Sequence, residues 1–405
     1  MPVGGMVMSA GVRLGTNGSA RVDNLQKDRR RERRVGVNAS RRDWRLVAAG
    51  VVAVLLALVV VGRLQGGNLV AGDAGPSQAT RGTVTTDDRP VGSGLTVARR
   101  VALPGQAVAV AVGAGAVWVL LERGTLLRVD PDRDQVTGRV ELGAPGEGGG
   151  VGLLAVGAGA VWVNTGSGRT ARVDPVGLRV TARFGGLVLA VAHGVVWSYC
   201  CPRGDKVMGF GRSDARTLRP RPPLLVTDDS GRRQPVGLLA VGTDAVWTTQ
   251  GFQDRRVWRV PLAGGPARVV QVAGFPYRLA ADKGAVWVLS SAGGPGAQRD
   301  RTGRLRRLDQ STGTVTATTP LPDLDVGRVN GAVGLVLGDG AVWLAGPSSR
   351  GLHAGGILLR VDAASGRVAG WLRDPLWSFK DVLAAGPRGV WVATAAPELL
   401  HVVAV

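Results

Sequence analysis

The chain has 405 residues, a formal net charge of +20 and 45% hydrophobic residues, and only 4% of its residues are aromatic. Trp supplies 11 of the 18 aromatic side chains, which excludes a core built mainly from Phe and Tyr and leaves Val, Leu and Ala to fill it. Only four of the 50 basic residues are Lys, a usage typical of a GC-rich bacterial genome.

The N-terminal segment, residues 1–45, shows no hydrophobic periodicity and contains eleven basic and four acidic side chains. A segment of this composition is predicted to be a disordered basic tail. Basic runs also bind nucleic acids, but this one leads directly into an apolar segment. We therefore interpret it as a signal for membrane topology, and we expect no nucleic-acid partner.

The next segment, residues 46–62, is an uncharged apolar run of 17 residues between Arg45 and Arg63. As a helix it would be roughly 26 Å long, slightly less than the hydrocarbon thickness of a bilayer. It predicts a single transmembrane helix of the signal-anchor type. A cleaved signal peptide is the alternative, although the charged segment before the run is much longer than a signal peptide carries.

The charges on the two sides of the apolar run predict its orientation. Eleven basic residues precede it, whereas only Arg63 and Arg81 follow within about 20 residues. The N-terminus is therefore expected in the cytoplasm and the rest of the chain outside it. Residues 63–93 are rich in Gly, Ser, Thr and Asp without strand alternation, and they predict a flexible linker.

The remainder of the chain, residues 94–405, carries a repeat whose clearest copy is LLAVGAGAVWV at residues 153–163. Successive copies are 35 to 56 residues apart, near the length of a propeller blade. Short Val-rich runs separated by Gly pairs at this period predict an all-β fold, a seven-bladed β-propeller. The tryptophans of the seven copies are Trp118, Trp162, Trp197, Trp247, Trp287, Trp343 and Trp391.

Blade two shows the pattern of one sheet, with strands predicted at residues 153–156, 160–163, 170–173 and 178–184. Third strands end in Asp. Two of these residues, Asp309 and Asp362, are followed by a Gly four positions later in the sequence. Such an Asp accepts backbone N–H bonds of the turn and the Gly takes a positive φ. We therefore interpret these aspartates as turn-forming residues, and no metal site is predicted.

The end of the chain predicts how the ring closes. After Trp391 there is room for one more strand, residues 399–405, so blade seven lacks its outer strand. Residues 97–105 resemble the outer strand of blade one at residues 136–143, although no other strand of a blade precedes them. We expect this N-terminal segment to complete blade seven in a velcro closure, which removes free sheet edges.

This repeat, with its Val-Trp-Val strand and its Arg-Val-Asp strand, resembles the superfamily of bacterial seven-bladed propellers that includes YVTN-type surface proteins and streptogramin lyases. The resemblance covers residues 94–405 and implies the fold, because the recurring residues are those of packing and turns. The lyases imply a His and a Glu near one mouth of the ring with a bound magnesium ion. Quinoproteins are a second catalytic relative, which the chain resembles in its adjacent Cys pair and at residues 362–371.

In a propeller, the loops from strand two to strand three and those between blades open on one face, here called the loop face. The long loops of this chain, at residues 198–205, 248–255, 290–304 and 345–356, all belong to it. Polar and aromatic groups on such loops commonly carry binding, and merely solvated loops are the alternative. The predicted ligand-binding residues are Gln106, Glu147, Gln234, Tyr277, Arg278, Asn330, Lys380 and Asp381.

Two further sets of residues have a chemistry of their own. Cys200 and Cys201 are the only cysteines, and they allow a strained vicinal disulfide, two free thiols or an intermolecular bridge. His353, in the long loop of blade six, and Glu398, in the corresponding loop of blade seven, are the pair that a general acid–base mechanism could use.

The sequence therefore favours a membrane-anchored, extracytoplasmic propeller that binds a ligand, a protein or a cell-wall partner through its loop face, without a cofactor. An enzyme of the lyase or quinoprotein type and a purely structural wall protein are the alternatives. Beyond residue 62 the chain contains 39 basic and 26 acidic residues, which favours anionic partners such as wall polymers.

Overall fold

The computed structural model describes residues 91–143, 154–165, 168–203, 206–250, 254–291, 293, 301–326, 333–349, 355–374 and 382–405. Within these residues the regular structure is β-strand, and no helix is long and apolar enough to cross a membrane. The predicted basic tail, the predicted membrane helix at residues 46–62 and residues 63–90 of the predicted linker lie outside the described residues.

The strands form seven antiparallel sheets in chain order. The first two strands are β1 (Val91–Ser93) and β2 (Leu95–Ala102). Blade one comprises β3 (Ala107–Gly113), β4 (Ala116–Leu121), β5 (Thr125–Asp130) and β6 (Gln135–Glu141). Blade two comprises β7 (Leu154–Gly157), β8 (Ala160–Thr165), β9 (Arg169–Asp174) and β10 (Arg179–Gly185). Blade three comprises β11 (Val188–Ala192), β12 (Val195–Arg203), β13 (Lys206–Asp214) and β14 (Pro220–Leu225).

Blade four comprises β15 (Leu239–Val241), β16 (Ala245–Thr249), β17 (Arg256–Pro261) and β18 (Arg268–Gln271). Blade five comprises β19 (Phe275–Ala281), β20 (Ala285–Ser291), β21 (Thr302–Asp309) and β22 (Val315–Asp325). Blade six comprises β23 (Gly334–Gly338), β24 (Ala341–Pro347), β25 (Gly356–Asp362) and β26 (Val368–Asp374). Blade seven contains β27 (Leu383–Gly386), β28 (Gly389–Ala393) and β29 (Glu398–Ala404).

The first strand of each blade lies against the first strands of its two neighbours. This series includes a contact between β27 of blade seven and β3 of blade one, so the seven sheets form a closed ring. The prediction of an all-β, seven-bladed propeller is confirmed.

The two N-terminal strands lie at the outer edges of the last two sheets. β2 pairs with β29, with Leu95 opposite Ala404 and Ala102 opposite Glu398. β1 pairs with β26 and adds a fifth strand to blade six. Residues 91–93, predicted as the end of a flexible linker, are thus strand instead, because β26 offers an edge with unpaired backbone groups.

The hydrophobic core is divided into seven layers, each between two neighbouring blades and here called a seam. Every repeat tryptophan fills the seam between its own blade and the next, and all seven are at most 1% exposed. Trp287 of blade five, for example, shares a seam with Val342 and Val361 of blade six. The repeat therefore specifies the contacts that hold successive blades together.

The glycines that flank Ala158 in the repeat have different roles. A Cβ on Gly157 would lie 2.9 Å from Cγ1 of Val191, so this glycine allows the first strands of blades two and three to approach closely. Ala158 and Gly159 have φ values of 51° and 72°. Positive φ at both central residues defines a type I′ turn, which favours Gly at the second of them.

The turns between third and fourth strands confirm the role predicted for their aspartates. Oδ1 of Asp309 accepts the backbone N–H groups of Ser311 at 3.0 Å and Thr312 at 2.8 Å. Oδ1 of Asp362 accepts the N–H group of Ser365 at 2.7 Å in the same way. The glycine at the end of each turn has a φ of 75° or 69°. These carboxylates therefore close turns.

We expect the turn closed by Asp309 to contribute less to the stability of the fold at acidic pH. Hydrogen bonds from the Ser311 hydroxyl and from Thr312 lower the pKa of Asp309 from 3.8 to about 2. This folded-state pKa lies below the unfolded value. The ionised carboxylate of Asp309 therefore contributes fully to the stability of the fold above about pH 4, and this contribution is lost as the pH falls through about 2. Urea unfolding at about pH 5 and about pH 2.5 should therefore show a smaller acid-induced loss of stability in Asp309→Asn than in the parent chain. Equal losses in the two proteins would contradict this role of the ionised carboxylate.

Candidate functional site

The loop face comprises the connections between blades together with the ends of second strands and the beginnings of third strands. Of the predicted site residues, the described ones are Gln106, Gln234, Tyr277, Arg278 and Glu398. The predicted site residues outside the described part of the chain are Glu147, Asn330, His353, Lys380 and Asp381.

Gln106 and Glu398 meet where blade seven adjoins blade one. Nε2 of Gln106 donates a hydrogen bond to the carbonyl oxygen of Thr394 at 2.6 Å. Glu398 forms an ion pair with Arg100 of β2 at 3.1 Å and accepts a hydrogen bond from the Thr394 hydroxyl at 3.3 Å. Both side chains therefore hold neighbouring segments of the ring together.

Among the described residues, no group of three or more His, Cys, Asp or Glu side chains could hold a metal ion.

Gln234 belongs to a hydrogen-bonded chain of polar side chains beside blade four. Its Nε2 donates to Oδ2 of Asp228 at 2.6 Å, and its Oε1 accepts from Nε2 of Gln250 at 2.9 Å. Arg256 donates to Oε1 of Gln250 at 3.0 Å and forms an ion pair with Asp254 at 2.8 Å. Because each member orients the next, this part of the loop face presents polar groups in fixed positions.

Tyr277 lies in the core between blades five and six. Its exposure is only 9%, and it shares a hydrophobic cluster with Leu289 and Leu324. Burial raises the pKa of the phenol, and the negative charge of Asp325 raises it further. The prediction of an exposed contact is therefore wrong for Tyr277, because β19 begins before it and the strand directs its side chain inward. Arg278 is partly exposed and donates a hydrogen bond to the Tyr277 carbonyl oxygen at 2.9 Å.

The long loop predicted at residues 198–205 is largely a continuation of β12, which pairs with β13 as far as residue 203. Cys200 and Cys201 lie in this extended hairpin and form a vicinal disulfide. The Tyr199 hydroxyl donates to the carbonyl oxygen of Gly237 at 2.8 Å, which ties the hairpin to the connection leading into blade four. The disulfide is therefore held on the loop face by strand pairing.

A buried arginine in blade five was not predicted, although the sequence contained the signal. Arg306 is 4% exposed. Arg306 immediately precedes Arg307, which pairs with Trp287, the repeat tryptophan of blade five. The corresponding residues of the other blades are Leu127, Ala171, Gly211, Trp258, Leu359 and Leu400. The signal in the sequence is therefore a charged residue at a repeat position where the other blades carry an apolar one.

Comparison with known proteins supports the fold and leaves the function open. The β-propeller domain of Cps50 (Swd1) from Myceliophteria thermophila, known from a crystal structure, superimposes with a TM-score of 0.55 at 10% identity. The match covers 77% of this chain and 100% of that domain. In all, 1293 chains of solved structures match, whereas no family model and no curated protein does. The chain is a β-propeller, a fold that carries many unrelated functions.

Proposed function

We propose that this protein is a membrane-anchored, extracytoplasmic propeller, similar to the YVTN-type bacterial surface proteins, that binds an anionic partner of the cell envelope through its loop face. The apolar run at residues 46–62, with the basic segment before it, supports the anchor and its orientation. The disulfide between Cys200 and Cys201 supports an oxidising location. In this proposal β2 is the velcro strand that closes the ring.

The hydrogen-bonded chain around Gln234 is the observation that carries the binding role. It fixes amide, carboxylate and guanidinium groups on a rigid ring, and such preorganised groups bind a partner at a low cost in conformational entropy. The sign of the partner's charge follows from composition, since 39 basic and 26 acidic residues lie beyond residue 62.

The enzymatic alternatives find less support in the described part of the chain. Glu398, one half of the suggested acid–base pair, is engaged by Arg100 and Thr394. Its suggested partner, His353, lies outside the described residues.

A thiol reagent that cannot cross membranes and carries a photoactivatable group tests both location and binding. Applied to intact, mildly reduced cells, it should label Cys200 or Cys201, because both lie on the loop face. Illumination should then join the labelled protein to wall material, since the partner binds on the same face. The variant with both Cys200→Ser and Cys201→Ser is the control and should remain unlabelled. Labelling only after lysis would contradict the orientation, and labelling without cross-linking would contradict binding through the loop face.

A further inference from the structure

The third strand of blade five directs two arginines toward blade four. Leu305 packs in the seam with blade six, so Arg306 faces the opposite way. Arg304, two residues earlier, shares that face of the strand and is exposed nearer the loop face. One strand thus brings two positive charges to the seam between blades four and five.

The Arg306 guanidinium contacts a buried hydroxyl group. Its Nη1 donates to Oγ of Ser290, a side chain without exposed surface. Oγ of Ser290 lies 3.4 Å from the carbonyl oxygens of Ala273 and Arg304. Ala273 belongs to the connection from blade four to blade five, so the guanidinium lies directly beneath the loop face. Within the described residues, Arg306 has no ion pair with a carboxylate.

A buried cation without a carboxylate partner is costly for the fold. Other arginines of the ring have such a partner: Nη2 of Arg259 lies 2.5 Å from Asp244, and Nη2 of Arg373 lies 2.7 Å from Asp323. Burial lowers the pKa of Arg306, and the positive charge of Arg304 lowers it further. Because apolar residues replace buried charges at little or no cost, packing alone does not explain an arginine at this position.

A third arginine borders the same connection between the blades. The carbonyl oxygen of Arg255 accepts the N–H group of Val272 at 3.0 Å. Its Cζ lies 4.8 Å from the centroid of the Phe275 ring. Arginines therefore flank the segment at residues 272–275 from both blades. Guanidinium groups match the paired oxygens of carboxylates and phosphates.

We propose that the loop-face end of this seam is an oxyanion-binding site, in which Arg306 and Ser290 bind a carboxylate or phosphate group and Arg304 adds a second positive charge. The inference rests on the proposed function, because it names the place where the anionic partner binds. The bound anion supplies the negative charge that Arg306 lacks within the described ring. Binding and stability are consequently coupled at this site.

Thermal unfolding of the full-length protein in detergent tests the site, with sodium phosphate, sodium acetate and sodium chloride compared at equal ionic strength and pH. The melting temperature should be about 2 °C higher in phosphate or acetate than in chloride. Phosphate also stabilises proteins by its exclusion from their surface, so only a rise that Arg306→Leu abolishes counts as binding. Such a rise in phosphate alone indicates a phosphate-bearing partner, and in acetate alone a carboxylate-bearing one. No rise in either anion would overturn the proposal.

Arg306→Leu installs the residue found at this position in blades one, six and seven. The variant should melt at or above the temperature of the parent in chloride and should not respond to phosphate or acetate. Arg304→Gln, at an exposed position, should fold like the parent and respond less. Arg367→Gln is the control, because it removes the same charge from an exposed turn on the opposite face and should respond fully.

If the melting temperature of Arg306→Leu rises in phosphate or acetate as much as that of the parent, the proposed site is wrong. If Arg306→Leu fails to fold, an undiminished rise in Arg304→Gln leads to the same conclusion. The photo-cross-linking experiment separates this inference from the proposed function. Cross-linking to wall material without any anion response would overturn the site and leave the proposed function standing. An anion response without cross-linking would support the site and contradict the envelope partner.

Discussion

Trp287→Ala is expected to lower the free energy of unfolding by about 3–5 kcal/mol, because it empties the seam between blades five and six. Trp287 is 1% exposed and shares this seam with Leu305, Val342 and Val361. The neighbouring strands are fixed in a closed ring, so they relax only partly into the cavity. Urea unfolding of the full-length protein, followed by circular dichroism, measures the loss.

Trp371→Ala is the matched control for this substitution. It removes the same atoms from a partly exposed position in β26, at the periphery of the same hydrophobic cluster, where Cζ of Arg373 lies 4.9 Å from the centroid of the indole ring. We expect a loss of about 1 kcal/mol, because little cavity forms at a partly exposed site. Equal losses at the two positions would show that Trp287 does not anchor the seam.

The architecture was predictable because the repeat residues act through short-range chemistry. A tryptophan that follows a tight turn, at blade-sized spacing, identifies the second strand of every blade. In blade two the four predicted strands end within two residues of β7 to β10. Asp309 and Asp362 bond to the backbone two or three residues away, so their turn-forming role depends on local sequence alone.

The loop face was less predictable because it depends on partners that are distant in sequence. The segment around Cys200 looks like a loop by composition but continues a strand, since β13 pairs with it. Tyr277 looks like an exposed aromatic residue at the start of a blade, but it lies within β19 and packs in one hydrophobic cluster with Leu289 and Leu324. The strand at residues 91–93 forms because blade six offers a free edge. None of these contacts follows from a local pattern.

The seam between blades seven and one departs from the repeat in two residues that contact each other. His401 occupies the place opposite the repeat tryptophan where the other blades carry arginine. Asp134, with a φ of 51°, occupies the end of a turn where blades five and six carry Gly313 and Gly366. Nδ1 of His401 lies 3.2 Å from Oδ2 of Asp134, and the imidazole stacks on Trp391 at 4.3 Å. The seam between blades seven and one thus has a polar contact in addition to its hydrophobic packing.

Replacing Leu95–Ala102 with a Gly-Ser sequence of the same length is expected to destabilise the ring and reduce the cooperativity of unfolding. β2 covers β29 and buries Leu95 and Val101, each 5% exposed. Loss of two buried aliphatic side chains should cost about 3–6 kcal/mol. It would also remove the ion pair between Arg100 and Glu398. The uncovered edge of β29 can then pair with another chain, so self-association should increase.

The same replacement of residues 64–88, within the predicted linker, is the matched control because it alters an N-terminal segment without touching β2. Urea unfolding should show a lower midpoint and a smaller slope for the β2 variant alone, and sedimentation should show association for that variant alone. If β2 closes the ring, its loss leaves blade seven with three strands and weakens the seam that contains His401 and Asp134. Equal changes in the two variants would mean that the ring stays closed through its inner strands without β2.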